Sequence, residues 1–209
     1  YKLPREDYFK IIHKKNIPMG AGLGGGSSNA AAVINFLYDY YDIKVDLAEK
    51  IAFAFYLGAD IPFFLDKNAK YISSIGEEFG AKVRLPNLEI LIIKPAKSLD
   101  TRLIFSNADK KDFSGRLKNH ISDFDDYAKL YNFIQNTKND LTEISASFCP
   151  DINKILSYGN DNIIARMSGT GSTCFLIFKN PAEVKEIENK IKQELPSSHI
   201  YHSRILSDI

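Results

Sequence analysis

Between Pro18 and Asn29 the chain reads Pro-Met-Gly-Ala-Gly-Leu-Gly-Gly-Gly-Ser-Ser-Asn, with five glycines in seven residues, and runs directly into Ala30-Ala31-Ala32-Val33-Ile34. Glycine lets a backbone turn with positive φ and come within contact distance of a ligand, and successive amide N–H groups in such a turn form an anion cradle. Ser27 and Ser28 stand where an N-cap belongs, and apolar positions continue at helical spacing through Phe36, Leu37, Tyr40 and Tyr41. A helix aligned behind the loop adds about half a positive charge at its N-terminus. The combination is suited to phosphate. A hinge is the alternative use of such a run, but a linker would not lead straight into a capped, alanine-rich helix.

Spacing sorts the phosphate loops. A Walker A loop needs Gly-Lys-Ser/Thr after its glycines, whereas Gly26 is followed by Ser27 with no lysine. Gly20-Ala21-Gly22-Leu23-Gly24-Gly25 satisfies GxGxxG, so a dinucleotide-binding fold stays as a second reading. Against it, Lys14-Lys15-Asn16-Ile17-Pro18 precedes the glycines in place of a buried strand, and a second helix follows the first.

The rest of the chain predicts a mixed α+β fold. Residues 8–13 read as a short strand ended by Pro18; Asp46 caps a second helix that stops at Gly58. Alternation over 70–74 and 82–85, with Gly76 and Gly80 between, predicts antiparallel strands, and the apolar run 88–93, stopped by Pro95, a buried one. Helical segments follow at 124–135 and 141–158, then strands at 162–167 and 173–178, a charged helix at 181–195 and a strand at 199–206. The order from residue 88 onward matches a split βαβ, ferredoxin-like sheet covered on one face by helices. The Lys- and Asp-rich stretch 107–126 reads as a mobile connection.

Two further segments carry chemistry. In Gly58-Ala59-Asp60-Ile61-Pro62-Phe63-Phe64, Asp60 can cap the turn that follows, or can accept a proton from a substrate hydroxyl; the residues alone leave both open. Ser168-Gly169-Thr170-Gly171-Ser172, between two strands, is either an ordinary hairpin turn or part of a site.

Composition narrows the classes. Lys and Arg total 27 against 26 Asp and Glu, and the formal net charge of +1 supplies no field for neutralising nucleic-acid phosphates. The most apolar stretch, 51–65, contains Asp60 and falls short of the roughly 20 apolar residues that cross a bilayer. Cys149 and Cys174 show neither zinc-ligand spacing nor a disulfide framework, which fits a reducing cytoplasm.

Together the three segments resemble the signature motifs of the GHMP kinase superfamily, small-molecule kinases that cradle ATP in a Pro-x3-Gly-Leu-Gly-Gly-Gly-Ser-Ser type loop. The likeness runs on through Ile75-Gly76-Glu77, Thr101 to Phe105, Asn139-Asp140-Leu141 and Ser168 to Phe175, nearly the whole chain. It implies a two-domain architecture, with 1–86 the remainder of an ATP-binding domain and 87–209 a ferredoxin-like domain. It implies that Pro18, Gly20, Gly22, Leu23, Gly24, Gly25, Gly26, Ser27, Ser28 and Asn29 bind ATP, with Mg2+ near Ser27 or Ser28. Asp60 becomes the catalytic carboxylate beside a substrate hydroxyl, Gly169, Thr170 and Gly171 a third motif closing on the site, Phe105 a ring that stacks on cytosine, and Thr101 a nearby substrate contact. The implied reaction is ATP-dependent phosphorylation of the 2-hydroxyl of a cytidine diphosphate-linked methylerythritol, by a monomer or weak homodimer in the cytoplasm, or in a plastid or organelle stroma if the source is eukaryotic. Another small-molecule substrate such as mevalonate, homoserine or a sugar, and a non-catalytic nucleotide-binding module, are the alternatives. The family also carries an N-terminal strand of the type Ala-Lys-x-Asn-Leu, whose lysine lies beside the catalytic Asp. Ala81-Lys82-Val83-Arg84-Leu85 comes after the glycine loop and has Arg where Asn belongs. The resemblance therefore implies that the chain is part of a longer enzyme.

Overall fold

The computed structural model describes residues 7–18, 21–66, 68–73, 78–109, 113–115 and 123–205. Among these, one compact unit comprises 7–18 and 24–81, and a second comprises 21–23 and 82–205. Gly20, Ile75, Gly76, Glu77 and half of 107–126 (110–112 and 116–122) lie outside the described residues.

In the first unit, α1 (Gly25–Tyr40) and α2 (Leu47–Leu57) are followed by a 3-10 turn, Pro62–Leu65, and by a two-stranded sheet of β1 (Ala69–Ser73) and β2 (Glu78–Val83). Asp46 caps α2 by accepting from the Glu49 amide at 2.7 Å. Ala31 and Ile34 of α1, Ala54 of α2 and Ile61 form a small core, against which Phe64 and Leu65 pack. The strand expected at 8–13 is absent, since no described strand pairs with it and an extended segment without a ladder partner gains no sheet hydrogen bonds. Tyr8 is 97% exposed, and Phe9 instead meets Phe36 and Tyr40 edge to face at 5.2 and 5.0 Å. β2 begins earlier than the alternation indicated and leaves out Leu85; beyond its end, the Arg84 guanidinium is drawn to Asp123 by bonds of 2.9 and 2.7 Å.

The second unit is built on a four-stranded antiparallel sheet in the order β4-β5-β3-β6, from β3 (Leu88–Lys94), β4 (Ile163–Met167), β5 (Cys174–Phe178) and β6 (His199–Ile205). This is the ferredoxin-like order expected. The helices are α3 (Thr101–Asn107), α4 (Tyr127–Gln135), α5 (Thr142–Phe148), α6 (Asp151–Leu156) and α7 (Val184–Glu194). Alternate strand residues serve different cores, as the two-residue period of a strand requires. Leu91, Ile93, Ile163, Met167, Leu176 and Phe178 pack with Ile104, Ile152, Ile155 and Ile191 from the helices. Ile164 and Ile177 pack with Phe124, Tyr127 and Leu130, with Ile90 and Phe175 alongside. The sheet is thus covered on both faces, not one, because α4 lays its apolar side on the second.

Three boundaries also differ from the sequence reading. The segment 141–158 is two helices, since Pro150 follows the α5 cap Cys149 and starts α6. α4 starts at Tyr127, where Asp126 accepts from the Lys129 amide at 2.8 Å. α3 was not anticipated; Asp100 caps it by accepting from the Arg102 amide at 2.8 Å. No helix among the described residues is long and apolar enough to cross a membrane.

Candidate functional site

The start of α1 is a bare helix terminus. Its N-cap is Gly24, at φ 62°, and no side chain caps it. This corrects the expectation for Ser27 and Ser28, which stand inside the first turn. The first intrahelical bond is Ser28 N–H to Gly24 O at 2.8 Å, so the amides of Gly25, Gly26 and Ser27 precede any helical acceptor. A methyl group placed on Gly25 or Gly26 would meet nothing within 4 Å, whereas one on Gly24 would stand 2.5 Å from the Phe64 ring. Gly24 is therefore glycine for the fold, and the next two are glycine without any packing reason. Ser28 and Asn29 are exposed, and the Asn29 amide meets His13 Nε2 at 3.1 Å. Pro18 and Leu23 are half-buried before the turn.

Asp60 lies between α2 and the 3-10 turn. The residue at the capping position of that turn is Ile61, and no side chain bonds the turn's amides, so the capping role open to Asp60 in the sequence is not used. Its carboxylate is exposed. The turn it leads into is fixed to α1 twice, by Ile61 in the shared core and by the Phe64 ring against Gly24. The carboxylate and the open amides therefore belong to one packed unit.

In the second unit the turn between β4 and β5 is tied down from several sides. Ser168 N–H bonds Thr173 O and Gly171 N–H bonds Ser168 O, both at 2.9 Å. Asn139 Nδ2 donates to Gly169 O at 2.8 Å and Met167 O at 3.1 Å, and Ser145 Oγ donates to Thr170 O at 3.0 Å. Thr170 and Thr101 join their hydroxyls at 3.1 Å. Thr173 Oγ1 donates to Ala21 O, and Ser168 Oγ to Gly22 O at 3.4 Å, so the first part of the glycine loop rests on this turn.

Phe105 follows Thr101 one helical turn later on α3 and is 52% exposed. It lines a cavity of about 540 Å³ together with Phe113, Lys138, Asn139, Gly169 and Thr170. Asp140, also on its wall, accepts from the amide of Ser114 at 2.8 Å and from its hydroxyl at 2.7 Å, with Lys138 at 3.2 Å. The Ser114 hydroxyl, and then its amide and Lys138, hold the Asp140 carboxyl below the usual carboxylate range despite an opposing effect of burial. Thr101, Phe105, Gly169, Thr170 and Gly171 are thus assembled in one unit, and Asp60 with Gly24, Gly25, Gly26, Ser27, Ser28 and Asn29 in the other.

Asn139, Ser145 and the Asp140–Ser114 pair have no role legible in the sequence alone. Asn139-Asp140-Leu141 stood out only through the family resemblance, and a serine inside a helical segment carries no signal of the carbonyl it reaches. Among the described residues no group of three His, Cys, Asp or Glu side chains could hold a metal ion.

Comparison with known proteins adds relatives. The family model for the GHMP kinases N terminal domain matches residues 2–67, and that for the GHMP kinases C terminal matches 117–197. The chain is similar to a 4-diphosphocytidyl-2-C-methyl-D-erythritol kinase of Ehrlichia chaffeensis, 31% identical over 92% of this chain and 68% of that protein. It is similar to the protein of the same name from Wolbachia pipientis wMel, 34% identical over 92% of this chain and 66% of the relative. A crystal structure of 4-(cytidine 5'-diphospho)-2C-methyl-D-erythritol kinase superposes with a TM-score of 0.71 at 26% identity, over 91% of this chain and 68% of that one. Homoserine kinase from Cytophaga hutchinsonii shares the fold, with a TM-score of 0.62 at 15% identity over 93% of this chain and 69% of that one. The chain spans about two thirds of the length of the curated relatives it matches.

Proposed function

The chain belongs to the GHMP kinase family, and from that premise we propose that the protein transfers the γ-phosphoryl group of ATP to the 2-hydroxyl of 4-diphosphocytidyl-2-C-methyl-D-erythritol, releasing ADP. The observation that carries this reading is the uncapped start of α1. Three amides, of Gly25, Gly26 and Ser27, have neither a helical acceptor nor a side-chain cap, and the two glycines among them pack against nothing, on a helix of 16 residues. Such an array stabilises the phosphate oxygens on which charge gathers during transfer.

Asp60 is the catalytic residue of the proposal. Its exposed carboxylate takes the proton of the 2-hydroxyl as the oxygen forms its bond to the γ-phosphorus and the bond from that phosphorus to the β-bridging oxygen breaks. The donors suited to Mg2+ are hard oxygens, and Ser28 Oγ would be the protein's donor beside the nucleotide phosphates and water. When bound, Mg2+ neutralises phosphate charge. Phe105 offers a flat, half-exposed face to the cytosine ring, and the Thr101–Thr170 pair fixes the edge of the same cavity. We place the protein in the cytoplasm as a monomer or weak homodimer, and the formal net charge of +1 supports a small-molecule partner over a nucleic acid.

The test is ADP release by the full-length protein with the diphosphocytidyl substrate, with methylerythritol phosphate lacking the cytidine, and with homoserine or mevalonate. Turnover confined to the first is the expected result; turnover only with homoserine or mevalonate would overturn the substrate. Asp60→Asn is expected to keep ATP binding and lose about 10²–10⁴-fold in turnover. Near-normal turnover would remove Asp60 from the reaction.

A further inference from the structure

Among the large, fully buried side chains of the described residues one is a lysine. Lys94 ends β3 at 2% exposure, one residue past the Ile93–Cys174 pair at the start of β5. Withdrawing an ammonium from water costs several kcal/mol unless protein acceptors replace its hydration. Here they are backbone carbonyls: Nζ donates to Pro95 O at 2.7 Å and to Lys97 O at 3.1 Å. Burial pushes the Lys94 pKa down, and proximity to Cys149 acts the other way.

Lys97 O has a second donor, Ser172 Oγ. Ser172 closes the third motif and is itself buried. Its neighbour Thr173 holds Ala21 O, and a methyl group on Gly22 would lie 3.2 Å from Gly171 O, so Ala21 and Gly22 sit directly on this turn. A continuous series of contacts therefore leads from the ammonium through one shared carbonyl to the third motif, and from there to the residues entering the nucleotide loop.

We infer that Lys94 is a positioning residue for nucleotide binding: by fixing Lys97 O, on which Ser172 is held, it sets the register of the 168–172 turn and of the Ala21-Gly22 segment seated on it. The inference rests on the kinase reading of the glycine loop. It assigns Lys94 no contact with the nucleotide. Its effect passes through a carbonyl that two donors share.

The test combines Lys94→Met, Ser172→Ala and the double variant in the full-length protein, measuring the ATP dissociation constant by calorimetry, KM for ATP and kcat in the ADP assay, and the thermal midpoint. Each single change is expected to weaken ATP binding and raise its KM by about tenfold, the loss of one hydrogen bond to a charged or buried group. The double variant should be little worse than the worse single one, because both act through Lys97 O. A purely structural lysine would lower the thermal midpoint and leave the ATP constants of the folded protein at wild-type values, which would overturn the inference. Full additivity would overturn it too. Should Lys94→Met fail to fold, Ser172→Ala decides alone, and unchanged ATP affinity refutes the coupling. If the wild type binds ATP but releases no ADP with the cytidine substrate, the substrate reading fails, while the ATP dissociation constants still judge Lys94.

Discussion

The turn that opens α1 and the turn between β4 and β5 both rely on glycines at positive φ, yet their surroundings are opposite. Gly169 and Gly171, at φ 54° and 77°, lie in a segment whose carbonyls are claimed by Asn139 and Ser145, with Ser172 anchored to Lys97 O. Gly25 and Gly26 have open space where a side chain would go, and their helix end takes no cap. The difference separates two ways of building a site. One turn is held in place so that it can support other parts. The other keeps its hydrogen-bonding capacity unspent, as a surface waiting for an anion must.

Substitutions can break this contrast, beginning with the largest expected loss. Gly24→Ala forces a side chain into a left-handed conformation and against the Phe64 ring, and should cost about 2–5 kcal/mol in chemical unfolding. If unfolding shows no loss, Gly24 belongs with the open pair. Next comes Asn139→Ala, which removes the hydrogen bonds to Gly169 O in the third motif and to Met167 O at the end of β4, and an acceptor for the Leu141 amide; about 1–3 kcal/mol should go, and KM for the acceptor substrate should rise more than KM for ATP. Equal changes in both would dissolve the distinction between the two turns.

A smaller effect concerns Asp140. Its pKa is depressed in the folded protein, first by the Ser114 hydroxyl, so its contribution to stability is complete above the ordinary carboxylate value and is lost as pH falls through the lower folded value. The thermal midpoint of Asp140→Ala should lie below that of the wild type at pH 7, and the gap should close in acid, below about pH 4. A gap that persists unchanged at low pH would mean that packing, not the ionised pair, holds Ser114 in place.

The glycine loop is legible in the sequence because glycine has few other uses: Gly24 is forced by φ and by Phe64, and its neighbours announce a close approach. The sheet order followed from the succession of apolar runs, since Leu91, Ile93, Leu176 and Phe178 alternate as strands must. What failed was whatever depended on a partner remote in sequence. A strand at 8–13 needs a neighbour that local pattern cannot supply, and Phe9 found helix aromatics instead. The break at Pro150 was readable, because proline bars a continuous helix, but helical spacing on both sides concealed it. Lys94 was unreadable: a lysine at the end of an apolar run signals the solvent edge, and only the carbonyls of Pro95 and Lys97 make its burial tolerable.

The most direct measurement is ATP titration of Gly25→Ala and Gly26→Ala beside their thermal midpoints. Neither methyl group meets protein atoms, and alanine favours a helix over glycine by about 1 kcal/mol, so both variants should be as stable as the wild type or more so. If the bare amides receive phosphate, the added methyl groups crowd the ligand, and ATP affinity should fall by at least about tenfold while the fold gains. Undiminished ATP affinity in both variants would contradict the account.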